Sequence, residues 1–184
     1  MMKISLSSVV WAHLKTLRNF DDENTSRIDV LVFFISPIVS GFLSWYLCIE
    51  LTAEVYSSSI SVFAIFSALL FSVQVAMYGV FRSDRKITGD AILERVERVT
   101  AEDTRKLLRE INANVSYLIF ISCVAVTVFL IFFAAPIPEA VEAAILIALY
   151  LHFLLTVAMV LKRAHEVFDA EYAKPLKFNE KGKK

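Results

Sequence analysis

The chain has no Gly-rich phosphate loop, no CxxC or HExxH spacing and no paired carboxylates inside its apolar stretches. These absences remove the usual catalytic and metal-binding readings, so no enzyme, cofactor or metal is expected. Cysteine is nearly missing. Cys48 lies near the outer end of the first apolar stretch and Cys123 near the middle of the third. Those depths do not bring two thiols within bonding distance, and neither has ligand company, so both read as small apolar residues. The three histidines, His13, His152 and His165, fall on different elements. Met1–Ser8 lacks the basic region, apolar core and cleavage site of a secretory signal, so the first span is expected to act as its own insertion signal.

Charge is missing over long distances. Val30–Ile49, Val55–Phe81, Ile111–Pro138 and Ala143–Leu161 hold no Asp, Glu, Lys or Arg. Each is close to the ~20 residues that carry an α-helix across a hydrocarbon core. Basic residues are also missing from one side. With four crossings and both ends together, all 19 Lys and Arg fall on a single side, and the opposite loops hold only Glu50, Glu54, Glu139 and Glu142. The positive-inside rule then places both termini in the cytoplasm.

The expected architecture is therefore an all-α polytopic membrane protein with four transmembrane helices, an N-terminal amphipathic helix and a cytoplasmic helical hairpin. Residues 1–25 form the leader, 26–81 the first two spans, 82–110 the hairpin, 111–163 the last two spans and 164–184 a basic tail. In the leader, Leu6, Val9, Val10, His13, Leu14 and Leu17 recur at helical spacing beside Trp11, which suits a helix at the headgroup level or against a partner helix. Phe20–Asn24 reads as a turn, and Ser26 with Asp29 as a capping box. Thr100 with Asp103 reads the same way, marking a helical restart after a stretch loosened at Gly89. The final helical pattern runs to Pro175.

Three residues in the spans stand out as pore or gate candidates. Pro37 removes a backbone donor and favours a kink; Ser36, Ser40, Gly41 and Ser44 around it let another helix come close, so packing and hinge readings both stand. Gln74 carries an amide that needs a partner in lipid. His152 fits either a neutral ring hydrogen-bonded to a neighbouring helix or a residue lining a pore. The second span adds a one-faced stripe of small residues: Ser57, Ser61, Ala64, Ala68, Ser72 and Ala76.

Arg82, Arg85, Lys86, Lys162 and Arg163 stand at span exits, where they suit anchors to anionic lipid. In the hairpin, Arg95, Arg98, Arg105, Lys106 and Arg109 are interleaved with Glu94, Glu97, Glu102, Asp103 and Glu110. Self-pairing on a solvated face accounts for such a pattern. A ring of these cations from several copies would instead bind a nucleotide or oligonucleotide.

The order of parts resembles the small four-span membrane proteins of bacterial antiphage operons. The residues that carry the likeness are the leader WAHLKTLRNF, the Asp-started span SRIDVLVFFISPIVSG, the charged inner hairpin and the opening NANVSYLIFI of the third span. Among them it is similar first to the Hailong-type effectors partnered with nucleotidyltransferases and second to the membrane subunit of Kiwa. The resemblance implies a homo-oligomer, a tetramer by analogy, in the bacterial inner membrane. Its cytoplasmic helices would answer an anionic ligand and its spans would form a gated, depolarising ion path. The competing class is a non-conducting sensor or scaffold that recruits a soluble defence partner.

Overall fold

The computed structural model describes residues 6–17, 31–82 and 91–181, and among them every regular element is a helix. The helices are α1 (Leu6–Thr16), a π-helical turn (Leu31–Ile35) leading directly into α2 (Ser36–Tyr46), α3 (Ala53–Arg82), α4 (Ala91–Ala134) and α5 (Glu139–Lys181). Helices α3, α4 and α5 each contain a segment long and apolar enough to cross a membrane, whereas the apolar helix Leu31–Tyr46 is shorter. The capping box at Ser26 and Asp29, the turn Phe20–Asn24, Gly89, Arg85 and Lys86 lie outside the described residues.

Two expected breaks are absent. No restart occurs at Thr100, because α4 runs unbroken from Ala91 to Ala134. The sequence of that stretch sets Glu and Arg three and four residues apart, a spacing that favours a continuous helix. Nor does α5 stop before Pro175; it continues to Lys181. A single proline costs one ladder hydrogen bond, which a long helix can absorb with a bend. At about 1.5 Å per residue, α4 and α5 are each roughly 65 Å long, twice the thickness of a hydrocarbon core.

The bundle is layered by sequence-distant pairs: α3 packs on α4, α4 on α5, α5 on α2, and α1 on α4. Its core is aromatic. Phe63 of α3, Phe129 of α4 and Phe153 of α5 are almost fully buried, with the Phe63 ring 5.7 Å and 5.1 Å from the other two. Tilted and edge-on rings at this spacing add to the burial of their apolar area. They fill the seam between α3, α4 and α5.

Close approach of α2 and α5 depends on Gly41. A Cβ there would lie 2.8 Å from the Ala144 carbonyl oxygen and 3.1 Å from the Ala148 Cβ. The small residues around Pro37 thus serve as a packing seam. Past Tyr46 the chain turns through Cys48, at φ 50°. The Ile49 amide donates to the Ser44 carbonyl and the Cys48 amide to that of Trp45, both at 3.1 Å, forming a Schellman closure with cysteine where glycine is usual.

Two substitutions test this frame by thermal unfolding in detergent. Gly41→Leu is expected to destabilise by about 2 kcal/mol or more, since the neighbour it meets is backbone. Cys48→Gly is expected to stabilise by about 1 kcal/mol by relieving the left-handed conformation.

Candidate functional site, a buried polar knot

Pro37 shapes the first half of the site. In an α-helical ladder the amide of residue 37 would donate to the carbonyl of Phe33, but proline has no N–H and its ring crowds that carbonyl. The turn ahead of it is widened into the π form, Leu31–Ile35. His152 of α5 takes the released acceptor, with Nδ1 2.8 Å from the Phe33 carbonyl oxygen. A carbonyl only accepts, so Nδ1 carries the proton. In the neutral ring Nε2 is then an acceptor, and the Tyr117 hydroxyl, 2.7 Å away, donates to it. Both ring nitrogens are satisfied by neighbours inside the chain.

The second half is built by α1. His13 is fully buried, its ring stacked on Tyr117 at a centroid distance of 3.9 Å and with planes 1° apart. Its Nδ1 lies 2.8 Å from Asn114 Oδ1. Thr16 Oγ1 lies 2.7 Å from the His13 carbonyl and 2.8 Å from Asn114 Oδ1, and its single proton serves one of the two. Tyr117 thus joins the halves, its face against His13 and its hydroxyl on His152, with the two imidazoles 6.4 Å apart and edge-on.

Arg163 closes the knot. Its Nη2 donates to the carbonyl of Thr16, the last residue of α1, and its Nη1 lies 2.8 Å from Glu110 Oε2 in an ion pair outside hydrogen-bond geometry. The guanidinium therefore caps the C-terminal end of α1, where orphan carbonyls concentrate negative charge. Its side chain is 15% exposed and that of Glu110 is 21% exposed. This burial makes loss of one partner costlier than loss of a surface pair.

The docking of α1 is incomplete in one respect. His13 Nε2 and Asn114 Nδ2 are buried with no hydrogen-bond partner among the described residues. Each such atom costs about 1–3 kcal/mol against a satisfied interface. Helix α1 is thus held by stacking, the Arg163 cap and the burial of Leu17, and weakened by its own polar face.

The remaining sequence candidates are dispersed. Gln74 Nε2 donates to Ser116 Oγ at 2.7 Å, linking α3 to α4. Arg105, Lys106 and Arg109 are exposed on α4, as is Lys162 on α5. Arg95 and Arg98 are on the same helix as Arg105, and Arg82 ends α3. His152 meets the carbonyl of Phe33, four residues before Pro37; His13, Asn114, Tyr117 and Glu110 were not among the sequence candidates. A histidine and a threonine three residues apart in the leader, and an asparagine opening a span, were the available signals for three of the residues in the knot. No protein-family model, curated protein or solved structure matches the chain.

The knot predicts an acid sensitivity. Burial lowers the His13 pKa from the ordinary 6.5 to about 4; the Asn114 contact opposes this, and His152 and Arg163 add to it. Below pH 6.5 an undocked His13 takes up a proton that the docked ring refuses until about pH 4. Docking is therefore strongest above that window and weakens as the pH falls through it, by up to about 3 kcal/mol. The groups facing His13 are Asn114 and Tyr117 of α4, His152 and Arg163 of α5 and Phe34 of the π turn. Hydrogen exchange of the α1 amides, corrected for intrinsic pH dependence, should show less protection at about pH 5 than at neutrality. His13→Gln should flatten that dependence. Arg163→Ala should cost about 2–4 kcal/mol of stability, and Arg163→Ala with Glu110→Ala measurably less, as an unpaired half-buried carboxylate is no longer left behind.

Proposed function

We propose that the chain is a regulated membrane effector of bacterial antiphage defence. In this reading Leu31–Tyr46, extended by the residues before it, is a fourth span. Both termini and residues 82–110 face the cytoplasm, the membrane is the bacterial inner membrane, and several copies surround a gated ion path that depolarises it. The trigger is an anionic ligand, a nucleotide or oligonucleotide, supplied by an operon-encoded nucleotidyltransferase or a similar soluble partner. Its docking residues are Arg95, Arg98, Arg105, Lys106 and Arg109.

The observation that carries the regulated character is the continuity of α4 and α5, each of which extends without a break from its apolar segment into a charged one. A displacement at Arg105 or Arg109 is passed along one rigid rod to Asn114 and Tyr117, where α1 and α5 are tied in. A ligand that prefers one arrangement of those rods shifts the balance by its difference in affinity for the two. The marginal docking of α1 suits a latch that must open.

Assembly is supported by α3. Only 6% of its apolar window is buried inside the protein, and its whole small-residue stripe, Ser57, Ser61, Ala64, Ala68, Ser72 and Ala76, is exposed. The face spent on α4 is a different one, with Tyr56, Ser59 and Phe63 buried. With Phe63, Phe129 and Phe153 packed together in the core of one copy, an ion path in this reading runs between copies. The second reading, a non-conducting sensor or scaffold, is favoured by the internal partners of His152 and Gln74, which tie both imidazole nitrogens and the amide nitrogen to neighbouring helices.

Ion flux from liposomes separates the two. The conducting reading expects flux that Arg105→Glu with Arg109→Glu changes at least about fivefold while membrane insertion is unaltered. No flux from correctly assembled protein, with or without infected-cell extract, favours the scaffold. Ala64→Phe with Ala68→Phe should shift native mass spectra from oligomer to monomer. A monomer for the unaltered chain across several lipids would count against assembly.

A further inference from the structure

We propose that the acidic end of the bundle carries a binding site for a primary ammonium group, the group an aminophospholipid headgroup presents. The place is a recess of about 170 Å³ where the start of α3, the end of α4 and the start of α5 meet. Its polar wall is formed by Glu139, Glu142 and Tyr56, and its apolar wall by Phe132 and Phe133.

Three features set this recess apart from an ordinary acidic helix start. Glu142 is buried to 8% exposure, and no Lys or Arg occurs between residues 30 and 81 or between 111 and 161, so its carboxylate has no cation from its own end of the bundle. The N-terminal end of α5 supplies only about half a positive charge against two carboxylates. Independently, the Tyr56 side chain is 5% exposed; its hydroxyl lies beside the Glu142 carboxylate, to which it can donate, and its buried oxygen accepts from no donor among the described residues. Finally the apolar wall is aromatic, with Tyr56 and Phe132 edge-on at 6.0 Å and Phe133 turned outward at 56% exposure.

Charge and shape together select the ligand. A divalent ion such as calcium needs six to eight oxygen ligands, and no group of three acidic, histidine or cysteine ligands comes together among the described residues. An ammonium group needs fewer: its three N–H donors match two carboxylates and a phenol oxygen, and its attached carbons match ring faces and edges. The recess lies where the apolar segments of α3 and α5 begin, which is headgroup depth if those helices span. The lipid assignment therefore rests on the spanning reading, and the ammonium site does not.

Resistance of the membrane-bound protein to alkaline carbonate, measured first, tests the spanning reading by itself. The protein is then placed in vesicles of equal phosphatidylethanolamine and phosphatidylglycerol, extracted gently and weighed by native mass spectrometry. The expected result is one phosphatidylethanolamine held per protomer, with retention reduced about tenfold by Glu142→Gln and by Tyr56→Phe. Tyr56→Phe keeps the ring, so it reads the site even if Glu142→Gln fails to fold. Ethanolammonium is also titrated onto protein in pure phosphatidylglycerol. Binding there, without lipid retention from the mixture, assigns the site to a soluble amine. Retention of both lipids in membrane proportion, unaffected by either variant and with no ethanolammonium binding, overturns the proposal. So does occupation by calcium that ethanolammonium cannot displace.

Discussion

One carbonyl organises the half of this protein where α1 docks. Pro37 withdraws the amide that would have satisfied the Phe33 carbonyl, and in an apolar bundle an orphaned acceptor is costly. The imidazole of His152 meets that need from the neighbouring helix, at 2.8 Å. The choice has consequences further along. Committing the Nδ1 proton to Phe33 makes Nε2 an acceptor, which orients the Tyr117 hydroxyl, and the oriented Tyr117 ring is the platform on which His13 stacks. A proline in one helix thus fixes where a leader helix docks on another.

How much of this was legible in the sequence follows from range. Charge-free stretches and helical spacing are local properties, and they located the apolar helices well. The aromatic core did not announce itself, because Phe63, Phe129 and Phe153 are three of 15 phenylalanines and only packing distinguishes them. Pro37 and His152 each drew attention as misfits in lipid, yet the contact of His152 with the Phe33 carbonyl joins residues 119 apart and has no local trace. Arg163 was read as a lipid anchor from its place at a span exit. The structure turns it inward onto Glu110 and the end of α1, a role that depends on where α1 docks. The supposed restart at Thr100 shows the opposite error: the helix runs unbroken through a local capping pattern, in a stretch whose Glu and Arg spacing favours one continuous helix.

The two ends of the bundle differ in kind. At the basic end, charges and histidines hold a short helix through contacts that are partly unsatisfied, an arrangement suited to release. At the other, two carboxylates and a phenol frame an aromatic recess with no cation among the described residues. Between them lies the phenylalanine core. Helices α4 and α5 run the whole distance, so the docked α1 at one end and the recess at the other are mechanically joined.

The central claim is that His152 compensates for the amide missing at Pro37, and a double-mutant cycle tests it most directly. His152→Leu removes the donor in both backgrounds, and Pro37→Ala restores an amide able to reach Phe33. Unfolding in detergent should show His152→Leu to be costlier with Pro37 in place than in the Pro37→Ala background, by about 1–2 kcal/mol. The Tyr117 hydroxyl loses its partner in both backgrounds, so that loss cancels. Equal costs in the two backgrounds, within about 0.5 kcal/mol, would contradict the account.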